Sequence, residues 1–449
     1  MLLKFAVSNY KSFYDQTEID FSAVKKITDK KHHLHQQGSI SLLKSTAIFG
    51  KNGAGKTNFF KAIRLTRDLM ANFKFLAAPE FAKNYEKNLL IQGNEKPTTM
   101  EIAFLIEEKF YEYSIVFDYD KVISETLSEI NSLGTSKLSI NPIFTRDSNG
   151  HYFNDEYFDR PVQDTIQLML NKVMLKKSTL FSSINFLMDV PFMMKIQEWL
   201  ENKLKFLFPR YENQDIAYHA YRDERIISNL KNILVFANVG IKDVQLVEHE
   251  PELFFGLQGE KSIDDVTTKA LESDNLHYAF KNSKGNLCSA IIEDDQLKIM
   301  ELKFFHHNDH GVLIGLDLRV ESRGTQSLIF LSLSLLMTYL YDVTYIIDEV
   351  GISIHPVLIH ELLLQFLDKT LGKSKGQLIY NSHHSYLIDQ KLFRRDEYWS
   401  FDSTPRGDKV GPFSKYGPIR NDEMLRNRYL RGEYGGIPYA HGSGELVLN

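Results

Sequence analysis

The stretch Gly50-Lys51-Asn52-Gly53-Ala54-Gly55-Lys56-Thr57 has the residue types and the GxxxxGK[ST] spacing that hold a chain of phosphates. Glycines let the backbone wrap an anion so that successive N–H groups point at it. The N-terminus of a following helix adds partial positive charge. Lys56 would reach the β- and γ-phosphates of a nucleotide, and Thr57 would ligate Mg²⁺. Gly50, Asn52, Gly53, Ala54, Gly55, Lys56, Thr57 and Asn58 make up the expected nucleotide-contacting stretch. The context agrees: Ser45–Phe49 reads as a short buried strand before the loop, and Asn58–Met70 has helical spacing after it.

A second apolar run, Tyr345-Ile346-Ile347, ends in Asp348-Glu349. Many strands end in acidic turns, so this pair becomes specific only in the company of the loop. There Asp348 would hold Mg²⁺, directly or through water, and Glu349 would polarise an attacking water. This strand is expected to lie beside the strand that carries the loop. Asp348 follows Lys56 by 292 residues, more chain than a compact single-lobe NTPase needs. The core is therefore expected to be split, its two halves meeting in one sheet.

Two weaker signals flank the acidic strand. Glu321-Ser322-Arg323-Gly324-Thr325-Gln326 precedes an apolar helix. Ser322 and Gly324 could offer a hydroxyl and N–H groups to an anion; equally, Ser322 or Thr325 could be a plain helix N-cap. After the next strand comes Asn381-Ser382-His383-His384. A histidine there could touch a γ-phosphate and its attacking water, but taken alone it reads as a surface residue.

The elements that must position these residues can be read along the chain. Of 449 residues, 43% are apolar and 25% charged, which excludes a disordered chain. The net charge of −5 argues against wholesale nucleic-acid coating and leaves room for a local basic patch. The single cysteine, Cys288, excludes an intrachain disulfide and fits a cytoplasmic setting. The N-terminus lacks a signal-peptide pattern. The apolar run Ser327–Tyr341 is too short to span a bilayer, so no membrane partner is expected. Leu2–Val7 and Thr17–Phe21 are strand candidates around the segment Asn9–Phe13. Met100–Leu105 and Tyr111–Phe117 suggest a meander, 160–240 looks helical, and Gln296–Phe305 with Gly311–Val320 suggests a hairpin. The fold expected is α/β: a split P-loop ATPase core, a mixed sheet flanked by helices, with an α-rich insertion. Its parts would be an N-terminal lobe 1–135, the insertion 136–292 and a C-terminal lobe 293–449. His32, His33 and His35, like His306, His307 and His310, lack cysteine support and a clean i, i+4 pair, so neither group is taken as a metal site. Lys172, Lys176 and Lys177 read as a solvated helix face. Arg420, Arg426, Arg428 and Arg431 could meet a partner or nucleic acid, or brace Tyr434-Gly435-Gly436.

The order of these elements resembles that of ABC-type ATPases: P-loop, Ser-x-Gly-x-Gln, apolar helix, acidic strand end, then a histidine after the next strand. LLKFAVSNYKSFYDQTEIDF followed by AIFGKNGAGKTNFFKAI resembles the N-lobe of SMC- and RecF-like members. ESRGTQ, IIDEVGISIHPVL and LRNRYLRGEYGGIPY resemble the "AAA family ATPases" of bacterial phage-defence operons, of RloA/AbiLi type with the PARIS ATPase AriA nearby. The resemblance covers roughly 1–120 and 295–440. It implies that Lys56 and Thr57 are the Walker A pair, that Asp348 and Glu349 are the Walker B pair, and that Glu349, His383 and Lys56 are catalytic. It makes Ser322 and Gly324 a signature acting in trans on a second subunit's nucleotide. It makes His383 the switch histidine, with His384 standing where relatives often have Asp. Asn9–Phe13 would lie near the base, and Gln92 is a Q-loop candidate by position only. The implied cofactors are ATP and Mg²⁺. The implied assembly is a head-to-tail homodimer or a higher homo-oligomer. The implied role is the sensor or switch of an abortive-infection system that controls a separate effector, a Toprim-like nuclease. The alternative is a RecF- or SMC-like ATPase of DNA repair or chromosome maintenance. A fused nuclease is disfavoured, because 66 residues follow His383.

Overall fold

A computed structural model describes residues 1–133, 137–170, 177–209, 215–256, 260–273, 275–404, 407–416 and 424–437. Lys172, Lys176 and Arg420 lie outside them. The chain divides into two compact units, one made of 1–206, 342–349 and 364–449, the other of 207–341 and 350–363.

The first unit holds two large sheets. One has six strands in the order Leu204–Leu207, Thr344–Ile347, Gln377–Asn381, Ser45–Gly50, Tyr398–Thr404, Gly407–Pro412. Its inner pairings are parallel. Ser45–Gly50, Thr344–Ile347 and Gln377–Asn381 are buried at every residue, as continuous apolar runs in a parallel sheet should be. Two halves of the chain far apart in sequence do meet here. The acidic strand does not adjoin the loop strand, however. Gln377–Asn381 lies between them, paired to Thr344–Ile347 on one side and to Ser45–Gly50 on the other.

The other sheet has seven antiparallel strands in the order Gly150–Phe153, Lys137–Asp147, Val122–Leu133, Lys109–Phe117, Thr98–Ile106, Leu2–Ser8, Thr17–Asp20. The meander therefore runs past residue 135, because Lys137–Asp147 pairs along Val122–Leu133 and continues its sheet. The helix Lys56–Ala71 buries Phe59, Ile63, Thr66 and Met70 on one stripe and Ala62, Leu65 and Leu69 beside it, the spacing of an amphipathic helix. Phe59 fixes this helix. Its ring packs edge-on against Phe5 at 5.3 Å, Phe13 at 6.1 Å and Phe401 at 5.5 Å, which joins both sheets and the segment Asn9–Phe13 to one side chain.

The second unit mixes helices with sheet. Asp243–His249, Gln296–His307, Leu287–Glu293 and His277–Lys281 pair antiparallel, and Leu313–Leu316 pairs with Gln296–His307 as the expected hairpin. Helices Ile216–Arg222, Glu224–Phe236 and Arg323–Leu340 belong to it. The segment 136–292 thus holds helices as expected, but also strands that β-branched and aromatic residues such as Tyr278, Phe280 and Ile291 favour. Its boundaries do not coincide with those of a compact unit. Among the described residues no helix is long and apolar enough to cross a membrane.

Gln377, fully buried at the start of the central strand, secures the N-terminal strand. Its Oε1 accepts from the Leu2 N–H at 2.7 Å, and its Nε2 donates to the carbonyls of Leu2 and Leu43, both at 3.0 Å. Gln377→Leu keeps the volume but leaves three buried backbone groups unpaired, each costing about 1–3 kcal/mol. Its first urea transition is expected to lose at least about 3 kcal/mol. A loss below about 0.5 kcal/mol would show that these bonds carry no weight.

Candidate functional site: the phosphate loop and the acidic strand end

The loop turns through left-handed backbone at Gly53 (φ +76°) and at Gly55 (φ +88°), which is also the residue before the helix. A side chain at either would be strained. At the loop entry, a Cβ on Gly50 would sit 2.3 Å from the Phe401 carbonyl oxygen, so no side chain fits. Asn52 and Gly53 are exposed, whereas Ala54, Gly55 and Lys56 are buried.

Lys56 folds back on the loop. Its Nζ donates to the carbonyls of Gly50 at 2.7 Å and Lys51 at 3.0 Å. Burial pushes its ammonium down to about 8, and Asp348 and Glu349 pull it only part of the way back. Thr57 Oγ1 donates to Asp348 at 2.9 and 3.1 Å. Burial raises the Asp348 carboxyl above the usual range, against the hydrogen bonds from Asn381 and Thr57. Thr57 and Asp348 thus present a hydroxyl and a carboxylate together, the hard oxygen donors that Mg²⁺ takes. The exposed turn at Asn52 and Gly53 and the Lys56 ammonium, bonded to neutral carbonyls, suit a phosphate chain.

Asn381 is the residue that sequence reasoning missed. At the end of the central strand, fully buried, its Nδ2 donates to Asp348 Oδ1, and its Oδ1 accepts the Glu349 N–H at 2.7 Å. A polar residue closing an otherwise apolar run was the available signal. Glu349 itself takes left-handed backbone, φ +58°. His383 Nε2 lies 4.0 Å from Glu349 Oε1. Burial, then Lys56 and His384, hold the His383 imidazole below its usual pKa, which favours the neutral ring.

The structure therefore gathers Lys56, Thr57, Asp348, Glu349 and His383. Asn58, expected to contact nucleotide, donates its side-chain amide to Ser12 Oγ at 3.2 Å and so ties the segment Asn9–Phe13 to the helix. That segment is less polar in place than in sequence, since Tyr10 and Phe13 are fully buried. Gln92 is exposed on the loop before Thr98–Ile106.

Ser322 and Gly324 belong to the second unit. Ser322 is exposed and caps the helix Arg323–Leu340, its Oγ accepting the Thr325 N–H at 3.1 Å. A Cβ on Gly324 would meet the Ser353 carbonyl oxygen at 2.6 Å, which explains the glycine by close approach. Capping and an outward-facing helix N-terminus coexist at Ser322. In the tail, Arg428 and Arg431 pair with Glu433 at 2.6 and 2.8 Å, and Arg428 lies over the Tyr434 ring, which is the bracing reading of that basic cluster.

The Lys56 ammonium should make nucleotide affinity pH-dependent. Above about pH 8 the free protein has lost that proton, and phosphate binding must restore it. Affinity for ADP or ATP is then expected to fall by up to about tenfold per pH unit from pH 8 to 9.5. Calorimetry in buffers of different ionisation enthalpy should read proton uptake approaching one. Lys56→Arg stays charged throughout and should show no such slope. A flat wild-type profile would contradict the assignment.

A family model described as "AAA domain, putative AbiEii toxin, Type IV TA system" matches residues 45–389. No curated protein matches the chain in sequence. Solved structures with similarity include the Smc head bound to the C-winged helix domain of ScpA, with TM-score 0.41 and 13% identity over 92% of this chain and 98% of that one. Another is the SMC head domain from Thermotoga maritima, with TM-score 0.36 and 13% identity over 92% and 98%. A third is the Smc head with an extended coiled coil bound to the C-terminal domain of ScpA derived from Pyrococcus furiosus, with TM-score 0.35 and 13% identity over 91% and 95%. The family match begins at the loop strand, ends beyond His383 and takes in well over half of the chain, which therefore belongs to this family of AAA domains.

Proposed function

We propose that the chain is a nucleotide-driven switch. It binds ATP with Mg²⁺ between two copies arranged head to tail, hydrolyses the ATP, and thereby controls a separate effector, a Toprim-like nuclease, in a cytoplasmic antiphage abortive-infection system. The observation that carries the ATPase reading is the convergence of Thr57, Asp348, Asn381, Glu349 and His383 at the phosphate loop. Membership of a family described as "putative AbiEii toxin, Type IV TA system" supports the defence role.

On binding, Lys56 exchanges the Gly50 and Lys51 carbonyls for phosphate oxygens, and the loop N–H groups stabilise the same charge. Thr57 and Asp348 would hold Mg²⁺, which supplies positive charge to the β- and γ-phosphate oxygens. Glu349 orients a water and takes its proton as the new O–P bond forms and the bond to the bridging oxygen of ADP breaks. The neutral His383 ring donates an N–H toward the γ-phosphate. Ser322 and the helix N-terminus behind it close the site from the second copy. ATP then bridges two protomers, and loss of the γ-phosphate releases the contact.

Glu349→Gln keeps size and hydrogen bonding but removes the base. Its Mg·ATP affinity should stay near wild type, while single-turnover hydrolysis falls by about 10²–10⁴. Asp348→Asn should weaken Mg²⁺-dependent binding itself. Normal turnover in Glu349→Gln would remove that residue from the chemistry.

Ser322→Arg places bulk and charge at the contact with the second copy. ATP-dependent dimers, read by light scattering on Glu349→Gln, should be lost in the double variant. Dimers that persist would leave Ser322 as a helix cap only.

A further inference from the structure

The excursion that carries Lys25–Gln37 returns in a short turn, Lys31–His33, and there the fold supplies what the sequence lacked for a metal site: a carboxylate from a remote segment. His32 Nε2 lies 3.3 Å from Asp368 Oδ1, and His33 Nε2 lies 3.8 Å from the same oxygen. The two rings meet edge to face at 4.6 Å. One ligand atom from each of the three residues falls within 4.8 Å of the others. Asp368 sits in the turn Phe366–Thr370, so 335 residues separate it from His33 in sequence.

The state of His33 gives the cluster its direction. The ring is fully buried. Its Nδ1 lies 3.0 Å from both oxygens of Glu397, which is also fully buried and accepts from Ser45 Oγ and, at 2.6 Å, from the Arg394 N–H. A carboxylate takes hydrogen bonds and gives none, so it fixes the proton on Nδ1 and leaves the Nε2 lone pair free. That Nε2 is buried without a hydrogen-bond partner, and the Asp368 carboxylate oxygen is 3.8 Å away. A buried lone pair facing an anionic oxygen is satisfied by a cation between them. A buried carboxylate on one ring nitrogen with a ligand position at the other is the arrangement that orients metal-binding histidines.

We infer that His32, His33 and Asp368 bind a divalent transition ion of the zinc class, with water completing the shell. Imidazole nitrogen and carboxylate oxygen suit such an ion, and three protein ligands plus an open position is a familiar coordination for zinc. Bonds of about 2.0–2.2 Å require the three atoms to close to roughly 3.3 Å apart; His32 and Asp368 already have that separation. Lys30 Nζ competes for Asp368 Oδ1 at 3.0 Å, while also donating to the Lys391 carbonyl at 2.6 Å, so its charge weakens the site and its displacement leaves it a partner. The ion would clip the excursion to the segment before the central strand. Through Glu397 and Ser45 it would also brace the foot of the strand that carries the phosphate loop.

The test uses full-length, chelator-treated, nucleotide-free protein. Zn²⁺ is titrated against a chromophoric chelator, and Co²⁺ is titrated for visible bands of low-symmetry coordination. Wild type is expected to take one ion per chain and to melt at higher temperature with Zn²⁺ than with chelator. His32→Ala and Asp368→Asn alter half-exposed residues and should fold, yet lose more than the roughly 10–100-fold in affinity that an outer-shell change costs. Glu397→Gln should lose within that range, and Lys30→Met should bind more tightly. Wild type that takes up no ion would overturn the proposal. Equal affinity in His32→Ala and Asp368→Asn would overturn it too, as would loss of the ion in Asp348→Asn instead, which would place it at the phosphate loop.

Discussion

Asn381 uses both ends of one carboxamide. Its N–H donates to the Asp348 carboxylate, and its carbonyl accepts the Glu349 N–H. A carboxylate there could not donate, and a hydroxyl could not span both groups, whereas a carboxamide offers a donor and an acceptor side by side. The bond fixes two neighbouring acids in different roles, Asp348 turned toward Thr57 and Glu349 turned into left-handed backbone. It works because Gln377–Asn381 is in register with the loop strand, Asn381 opposite Ile48, and with the acidic strand, Tyr380 opposite Ile347. A slip of one residue would turn Asn381 to the other face of the sheet. The opposite end of the same strand is pinned by Gln377, which binds Leu2 and Leu43. One five-residue strand with an amide at each end thus sets both the packing of the N-terminal sheet and the spacing of the site.

The electrostatics of the site point outward. Burial lowers the Lys56 ammonium and raises the Asp348 carboxyl, so each buried charge is disfavoured where it stands. Phosphate would relieve the first and a divalent cation the second. Neither is relieved by moving the two side chains together, because Lys56 is engaged with the loop carbonyls and Asp348 with Thr57 and Asn381. Burial, then Lys56, lower the His383 imidazole in the same way. A bound anion at Lys56 and a cation at Asp348 would each offset that desolvation.

Local signals were legible in the sequence and long-range ones were not. The phosphate loop, its strand and its helix declare themselves within residues 45–70, and the acidic pair ends an apolar run that reads as a buried strand. The order of strands was misread, since no local pattern tells that Gln377–Asn381 inserts between the other two; pairing partners are set by the whole sheet. The role of Asn381 was hidden for the same reason, its partners lying 33 and 32 residues away. The α-rich reading of 136–292 assigned no strand there, because alternation is blurred in half-buried strands such as His277–Lys281. The histidines at 32 and 33 looked isolated because their carboxylate comes from Asp368.

The tail shows how a segment without chemistry of its own can matter to the loop. A Cβ on Gly436 would lie 3.0 Å from the Gly50 Cα and 2.9 Å from the Phe401 carbonyl oxygen. Gly50, for its part, leaves no room for a Cβ against Phe401. Three backbones therefore touch at the loop entry, with no side chain tolerated on two of them. Tyr434 holds the tail there by stacking on Phe413 at 4.2 Å, and Phe413 stacks in turn on Tyr398 of the strand beside the loop. Lys51, the next loop residue, pairs with Asp402 at 2.9 Å, and a Cβ on Gly435 would meet that same Asp402. The entry of the loop is thus clamped by backbone contact and aromatic stacking, while Asn52 and Gly53 remain exposed. Such a division keeps the N–H groups preorganised where charge must be met, and leaves motion to the Lys56 side chain, which must leave its carbonyls before it can reach a phosphate.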